Sequence, residues 1–261
     1  MSKTRWSEAF QIFGNLYFVG TAEVSSHLID TGEGLILLDT SYPDTFDIMC
    51  ENIEKLGFSL QDIKILLHSH GHVDHIGGTA RLMKQTGAKS YICWLDADMV
   101  SGKVKTDFSE ELGIDFHDYF TPDVLLKDGD EIRLGNTVIN CVHTPGHTPG
   151  TMSYFLEITD GTTVYKCAMM GGSGTNSMEY KYLDKYGLSG HWRKEYPNVI
   201  AGLRDKNVQV QMGNHNGDIG IRDRYFERLE TGKNVFIDPT TWEKHLDNCL
   251  ARYNKMIEEG K

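Results

Sequence analysis

The 261-residue sequence predicts an α/β fold: a four-layer αβ/βα sandwich of two facing mixed β-sheets with helices outside. Three observations predict it. Apolar runs of strand length recur from Leu16 to Met212, each bounded by turn residues. Helical stripes interrupt the runs early and close the chain at its end. The order strands–helix–strands–helix falls into two similar halves, so each half supplies one sheet and its outer helices. No low-complexity linker, charge block or internal repeat divides the chain, so residues 1–261 read as one domain.

The elements follow in order. Leu16-Tyr17-Phe18-Val19 and Leu35-Ile36-Leu37-Leu38 read as buried strands. Asp44 to Leu56 reads as a helix, because Phe46, Met49, Ile53 and Leu56 recur at three- and four-residue steps. Pro43 suits its first turn and Gly57 its stop. Ile63 to Leu67 is a further buried strand, and Gly78 to Thr86 a short helix closed by Gly87. Asp128-Gly129, Gly135-Asn136 and Asp160-Gly161 are turn dipeptides. They separate strands at Glu131 to Leu134, Thr137 to His143, Met152 to Ile158 and Thr163 to Ala168. Val208 to Met212 is the last strand. Trp242, Leu246, Cys249, Leu250, Tyr253 and Ile257 form the stripe of a final helix, with Thr240 and Glu243 as a capping box.

Composition narrows the partners. Lys and Arg total 26 against 37 Asp and Glu, a net charge of −11, which disfavours nucleic acid, whose phosphates need clustered cations. No apolar run approaches the roughly 18 residues of a membrane span. The expected partner is a small-molecule substrate. Cys50, Cys93, Cys141, Cys167 and Cys249 form no C-x-x-C pair and lie in apolar stretches, as reduced buried thiols do. With no signal-like segment after Met1, a cytoplasmic location is expected, or a periplasmic or secreted one if a signal was removed.

The chemistry concentrates in His68-Ser69-His70-Gly71-His72-Val73-Asp74-His75, four imidazoles and a carboxylate directly after a buried strand. Imidazole and carboxylate are ligands for zinc and similar divalent ions. The alternate spacing of His70 and His72 lets both converge on one ion, and Asp74 and His75 can turn toward a second. Two isolated candidates lie at other strand ends. His147 sits in the Pro/Gly loop Thr144-Pro145-Gly146-His147-Thr148-Pro149-Gly150, and His215 in Gly213-Asn214-His215-Asn216-Gly217. His68 ends a strand and is expected to make a local hydrogen bond. The Gly- and Tyr-rich stretch Gly171 to Gly190 reads equally as a lid or a plain surface excursion.

His70-x-His72-x-Asp74-His75 is similar to the signature of the metallo-β-lactamase superfamily, and the chain resembles that superfamily from Leu16 to about Ile257. Asp39, closing its strand, resembles a conserved supporting Asp of that fold. Leu56-Gly57-Phe58, Thr86-Gly87-Ala88, the loop of His147 and Asn234-Val235-Phe236-Ile237-Asp238-Pro239 resemble the third lactamase subclass, which binds two zincs without cysteine. The resemblance implies a first zinc on His70, His72 and His147, and a second on Asp74, His75 and His215. Iron and manganese are alternative occupants. It also implies a hydrolase that activates water at the metals, with Asp74 as the catalytic residue that orients the nucleophile, most concretely for β-lactam ring opening. The alternative is a cytoplasmic metallohydrolase of another ester, lactone, thioester or amide, with no resistance role.

Two departures sharpen that expectation. The second glyoxalase and the lactonases carry a metal-bridging Asp where this chain reads Cys167-Ala168-Met169-Met170-Gly171-Gly172, without a carboxylate. Cys167 is read as a buried structural thiol. The serines that help bind a substrate carboxylate in the third subclass have no clear match, Ser173 standing nearby.

Overall fold

The computed structural model describes residues 6–261. Strands β1 (Phe10–Phe13), β2 (Leu16–Phe18), β3 (His27–Asp30), β4 (Leu35–Leu38), β5 (Ile63–Leu67), β6 (Lys89–Cys93) and β7 (Val124–Leu126) form one sheet in sequence order. Strands β8 (Glu131–Leu134), β9 (Thr137–His143), β10 (Met152–Thr159), β11 (Val164–Met169) and β12 (Val210–Met212) form the other, in the order β12-β11-β10-β9-β8. Both sheets are mixed. β4 to β7 pair in parallel in the first, and β11 pairs in parallel with β12 in the second.

Period-two alternation sorts side chains between layers. In β4, Ile36 and Leu38 enter the core between the sheets, while Leu35 and Leu37 pack outward on Phe46, Met49 and Ile53 of the helix Phe46–Lys55. In β10, Met152, Tyr154, Leu156 and Ile158 face the other sheet, and Phe155 faces outward to Trp242 of the helix Thr241–Glu258. Each fully buried side chain of this size contributes about 1.5–3 kcal/mol, so a one-residue register slip in either strand is prohibitive. Helices thus cover both outer faces of the sandwich.

Several local expectations are corrected. The first helix begins at Phe46 with Thr45 as its N-cap, leaving Pro43 outside it. Thr240 and Glu243 form no capping box: Thr240 makes no side-chain cap, and Glu243 is drawn instead to Arg204 at 3.0 Å. A charged partner competes successfully with a backbone N–H. Residues 171–190 are more than a plain surface excursion, for Gly172, Ser173, Gly174 and Asn176 line the cleft around the histidines. They carry the helix Tyr180–Tyr186 and bury Met178, Tyr182 and Leu183. Cys50 is only half-buried, whereas the other four thiols are buried. Cys167 lies in the inter-sheet core, where burial raises its pKa. Among the described residues no helix is long and apolar enough to cross a membrane.

The strand directions create the site. β4 and β5 run parallel, so Asp39 and the loop His68–His75 leave the first sheet at the same edge. β9 and β11 are both antiparallel to β10, and β12 is parallel to β11, so the loops of His147, Gly171 and His215 leave the second sheet at one edge too. The two edges meet as a single rim.

Candidate metal centre

His70, His72 and His147 bring one nitrogen each within 4.8 Å of one another, and His70, Asp74 and His75 form a second such group. His72 Nδ1 faces His147 Nε2 at 3.0 Å. His75 Nε2, His215 Nε2 and Asp74 Oδ2 form a triangle with sides of 3.3, 3.5 and 3.3 Å. A tetrahedral ion with bonds of about 2.0–2.1 Å has ligand–ligand edges near 3.3–3.4 Å, so this triangle has the size of a zinc face. All six residues singled out in the sequence therefore converge. His68 does not: its Nδ1 meets Tyr91 O at 3.1 Å and its Nε2 meets Thr79 Oγ1 at 2.7 Å, on the side away from the cleft.

The tautomers are set from outside. His70 donates Nδ1–H to Gly171 O at 2.9 Å, His147 to Gly174 O at 2.9 Å, and His215 to Glu23 O at 3.1 Å. His75 donates Nδ1–H to Asp39 Oδ2 at 2.8 Å. In His70 and His147 the bond leaves a bare Nε2 directed inward, the arrangement that supporting groups give metal-ligating histidines. His70 Nε2 is buried and has no hydrogen-bond partner among the described residues. An unpaired buried acceptor costs about 1–3 kcal/mol, which a divalent ion would recover.

Charge divides the two groups. Burial holds His70 and His72 well below the ordinary imidazole pKa and lowers His147 to about 4, so the first group is neutral. Burial also disfavours charge on His75, but Asp74 and Asp39 outweigh it and raise its pKa to about 10. Burial pushes Asp74 up, and His75 with His215 outweighs that, leaving it far below the usual carboxylate range. A proton on His75 thus neutralises Asp74.

The backbone around the site is adapted to it. Asp39 and Ser41 hold left-handed φ of 59° and 62°, a conformation costly for non-glycine residues. It lets Asp39 accept from Ser69 N–H at 2.8 Å and Ser69 Oγ–H at 2.7 Å while holding His75. Gly172 lies so close to His147 that a Cβ would fall 2.6 Å from the ring, which explains glycine where a ligand strand ends.

Other contributors were not legible in the sequence. Buried Asp96 accepts from Gly71 N–H, Thr148 Oγ–H and Gly150 N–H, tying the His70–His72 loop to the His147 loop. Asp218 accepts from the N–H groups of Asn214 and His215 and from Ser173 Oγ–H at 2.8 Å. The Ser173 hydroxyl is therefore already engaged. Phe108, at a left-handed φ of 65°, packs its ring 5.1 Å from that of His72. Around the histidines lies a cleft of about 360 Å³ whose other walls include Tyr42, Phe108, Asn176 and Arg252. Arg252 touches Cys249 Sγ at 3.4 Å and pairs with no carboxylate among the described residues. No single local pattern marks these residues, because they reach the site from six separate segments.

The fold and site have known counterparts. The chain is similar to BJP-1, a subclass B3 metallo-beta-lactamase of Bradyrhizobium japonicum, with a TM-score of 0.89 and 27% identity over 98% of this chain and 96% of that one. It is similar to the metallo-beta-lactamase GOB-18 from Elizabethkingia meningoseptica, with a TM-score of 0.84 and 30% identity over 99% and 96%. A curated relative, the hydroxyacylglutathione hydrolase GloC of Haemophilus influenzae, is 28% identical over 159 residues, 60% of this chain and 67% of that protein. The chain spans about half the length, 49%, of a relative from Aquifex aeolicus. The model of the metallo-beta-lactamase superfamily matches residues 19–161, most of the first sheet and the first strands of the second. On that match, and on a likeness to such enzymes that runs from end to end, the chain belongs to the metallo-beta-lactamase superfamily.

Proposed function

We propose that the protein is a dinuclear zinc hydrolase able to open β-lactam rings. The observation that carries this is the donor set: five imidazoles and Asp74 directed inward, with no carboxylate at the end of β11. Neutral nitrogen with a single carboxylate suits zinc. His70, His72 and His147 would hold one ion, and Asp74, His75 and His215 the other. When bound, such ions lower the pKa of water from 15.7 to about 7 and polarise a carbonyl oxygen.

The chain's own residues do the rest. Asp39 fixes the His75 ring, and the carbonyls of Gly171, Gly174 and Glu23 fix His70, His147 and His215. Asp74 turns Oδ2 toward His75 and His215, so Oδ1 can accept a hydrogen bond from an attacking water and orient it. Among the described residues Arg252 is the one Lys or Arg lining the cleft. With Ser173 engaged by Asp218, the guanidinium is the group that would hold a substrate carboxylate.

Hydrolysis of a thioester is the second reading, favoured by the relationship to GloC. The test is turnover by zinc-loaded protein of a penicillin, a cephalosporin, a carbapenem, a lactone and a thioester. Opening of a chromogenic cephalosporin supports the first reading. Turnover of the thioester alone replaces it with the second.

A further inference from the structure

The helix Thr241–Glu258 carries His245, Cys249 and Arg252 on one face, at four- and three-residue steps. Around the Cys249 sulfur stand His245 Nε2 at 3.6 Å, Arg252 Nη2 at 3.4 Å and Met170 Sδ at 3.8 Å. The Tyr196 hydroxyl, from the helix His191–Gly202, faces the same sulfur. It is buried and bonds to nothing else among the described residues. Asp218 stands near His245. The sulfur belongs to a residue with no exposed surface. A neutral thiol is a weak acceptor. Three donors converging on one buried sulfur suit an anion instead.

The other thiols supply the contrast. Burial pushes Cys93 and Cys141 up to about 12, and does the same to half-buried Cys50. Burial also disfavours charge on Cys249, but His245 and then Arg252 outweigh it and hold its pKa below the ordinary thiol value. Burial disfavours charge on His245 in turn, and Cys249 with Asp218 outweighs that and raises its pKa. Charge therefore alternates from Asp218 through His245 and Cys249 to Arg252, whose side chain lines the metal cleft. Arg252 spends Nη2 on the sulfur and pairs with no carboxylate among the described residues, so its Nε and Nη1 stay free to donate. An arginine already tethered at one nitrogen has less freedom to lose when a ligand binds the others.

We propose that Cys249 acts as a thiolate that holds Arg252 in place for the carboxylate of the substrate. Cys249 is then a positioning residue for specificity, one helical turn behind the group that touches the ligand. The inference rests on the reading of Arg252 as the carboxylate-holding residue, and adds what fixes its direction.

Two measurements on the zinc-loaded protein test this. The first is the ultraviolet absorbance of the thiolate against pH, taken as the difference between the unaltered protein and Cys249→Ser so that only this sulfur is read. Its midpoint should lie below the ordinary value of about 8.5, and Arg252→Met should raise it by about one pH unit or more. The second is KM, or calorimetric Kd where there is no turnover, for benzylpenicillin and for its methyl ester. Cys249→Ser should shrink the preference for the acid by about two- to tenfold through KM rather than kcat. Cys249→Asp, which restores an anion, should recover most of that preference. A midpoint at the ordinary value or above overturns the proposal. So does a preference that Cys249→Ser leaves intact, or a folded Cys249→Asp protein no better than Cys249→Ser. If Arg252→Met also leaves the preference intact, the reading of Arg252 falls with it; if only Cys249→Ser does, the positioning role alone falls. An inert protein with a low midpoint and a Kd preference that follows the variants keeps the Cys249–Arg252 pair and loses the hydrolytic reading.

Discussion

The two halves of the candidate metal centre are built on opposite electrostatic plans. His70 and His72 are buried and His147 partly so; all three are held neutral, and His70 leaves a nitrogen with no partner among the described residues. Asp74, His75 and His215 instead satisfy one another, with a proton on His75 balancing Asp74. The His215 side chain is also 41% exposed, against 0% for His75. The first trio has one contact to give up when an ion arrives, His72 Nδ1 to His147 Nε2 at 3.0 Å, no proton to shed from a charged ring, and a buried acceptor to gain for. The second must release a proton and break contacts it already has. The difference teaches that the two halves should fill in order, the first more tightly than the second.

The largest expected effect tests the first half. His72→Ala should lose the tighter ion and hydrolysis together. Elemental analysis after dialysis should show the loss, which should exceed the 10- to 100-fold typical when a supporting neighbour is removed. Retention of both ions would break the comparison. His215→Ala should be milder, emptying the second half while the first keeps its ion, because His215 shares no ligand position with His70, His72 or His147. Asp39→Asn should weaken the second half by about 10- to 100-fold, since it loosens His75 without removing a donor.

The pH dependence should separate the halves further. His75 holds its proton up to a pKa of about 10, and an ion can bind only after that proton leaves. Affinity of the second half should therefore rise about tenfold per pH unit between pH 7 and 9. The first trio is already neutral above pH 6.5, so its affinity should stay flat there. Zinc titrations buffered at three pH values check this, and equal slopes would contradict it. The smallest effect concerns substrate. Arg252→Met should raise KM for a carboxylate-bearing substrate by about tenfold, leave kcat within a factor of a few, and leave a neutral ester unchanged.

The same contrast explains what the sequence could reveal. The cluster from His68 to His75 is contiguous, so its density alone announced a metal. His147 and His215 were legible because each follows an apolar strand and sits among glycines or prolines. The sandwich was legible where strands alternate cleanly or run apolar, as in β4, β5 and β10. It was not legible in β3, which opens on His27 and closes on Asp30, nor in β7, only Val124–Leu126. Pairing with long neighbours makes these segments strands, and that pairing is tertiary. The helices His191–Gly202 and Ile221–Thr231 escaped for a related reason. Pro197 lies inside the first, and the second buries only Ile221. Asp96, Asp218 and Arg252 were invisible because their roles depend on distant loops meeting at one rim.

The central claim is that six side chains hold two ions, and anomalous diffraction at the zinc edge from crystals of zinc-loaded protein tests it most directly. Two peaks are expected, about 3.5–4 Å apart. One should lie about 2.0–2.1 Å from nitrogens of His70, His72 and His147, and the other at such distances from Asp74, His75 and His215. A single peak at saturating zinc, or a His215 ring more than about 4 Å from any peak, would contradict the account.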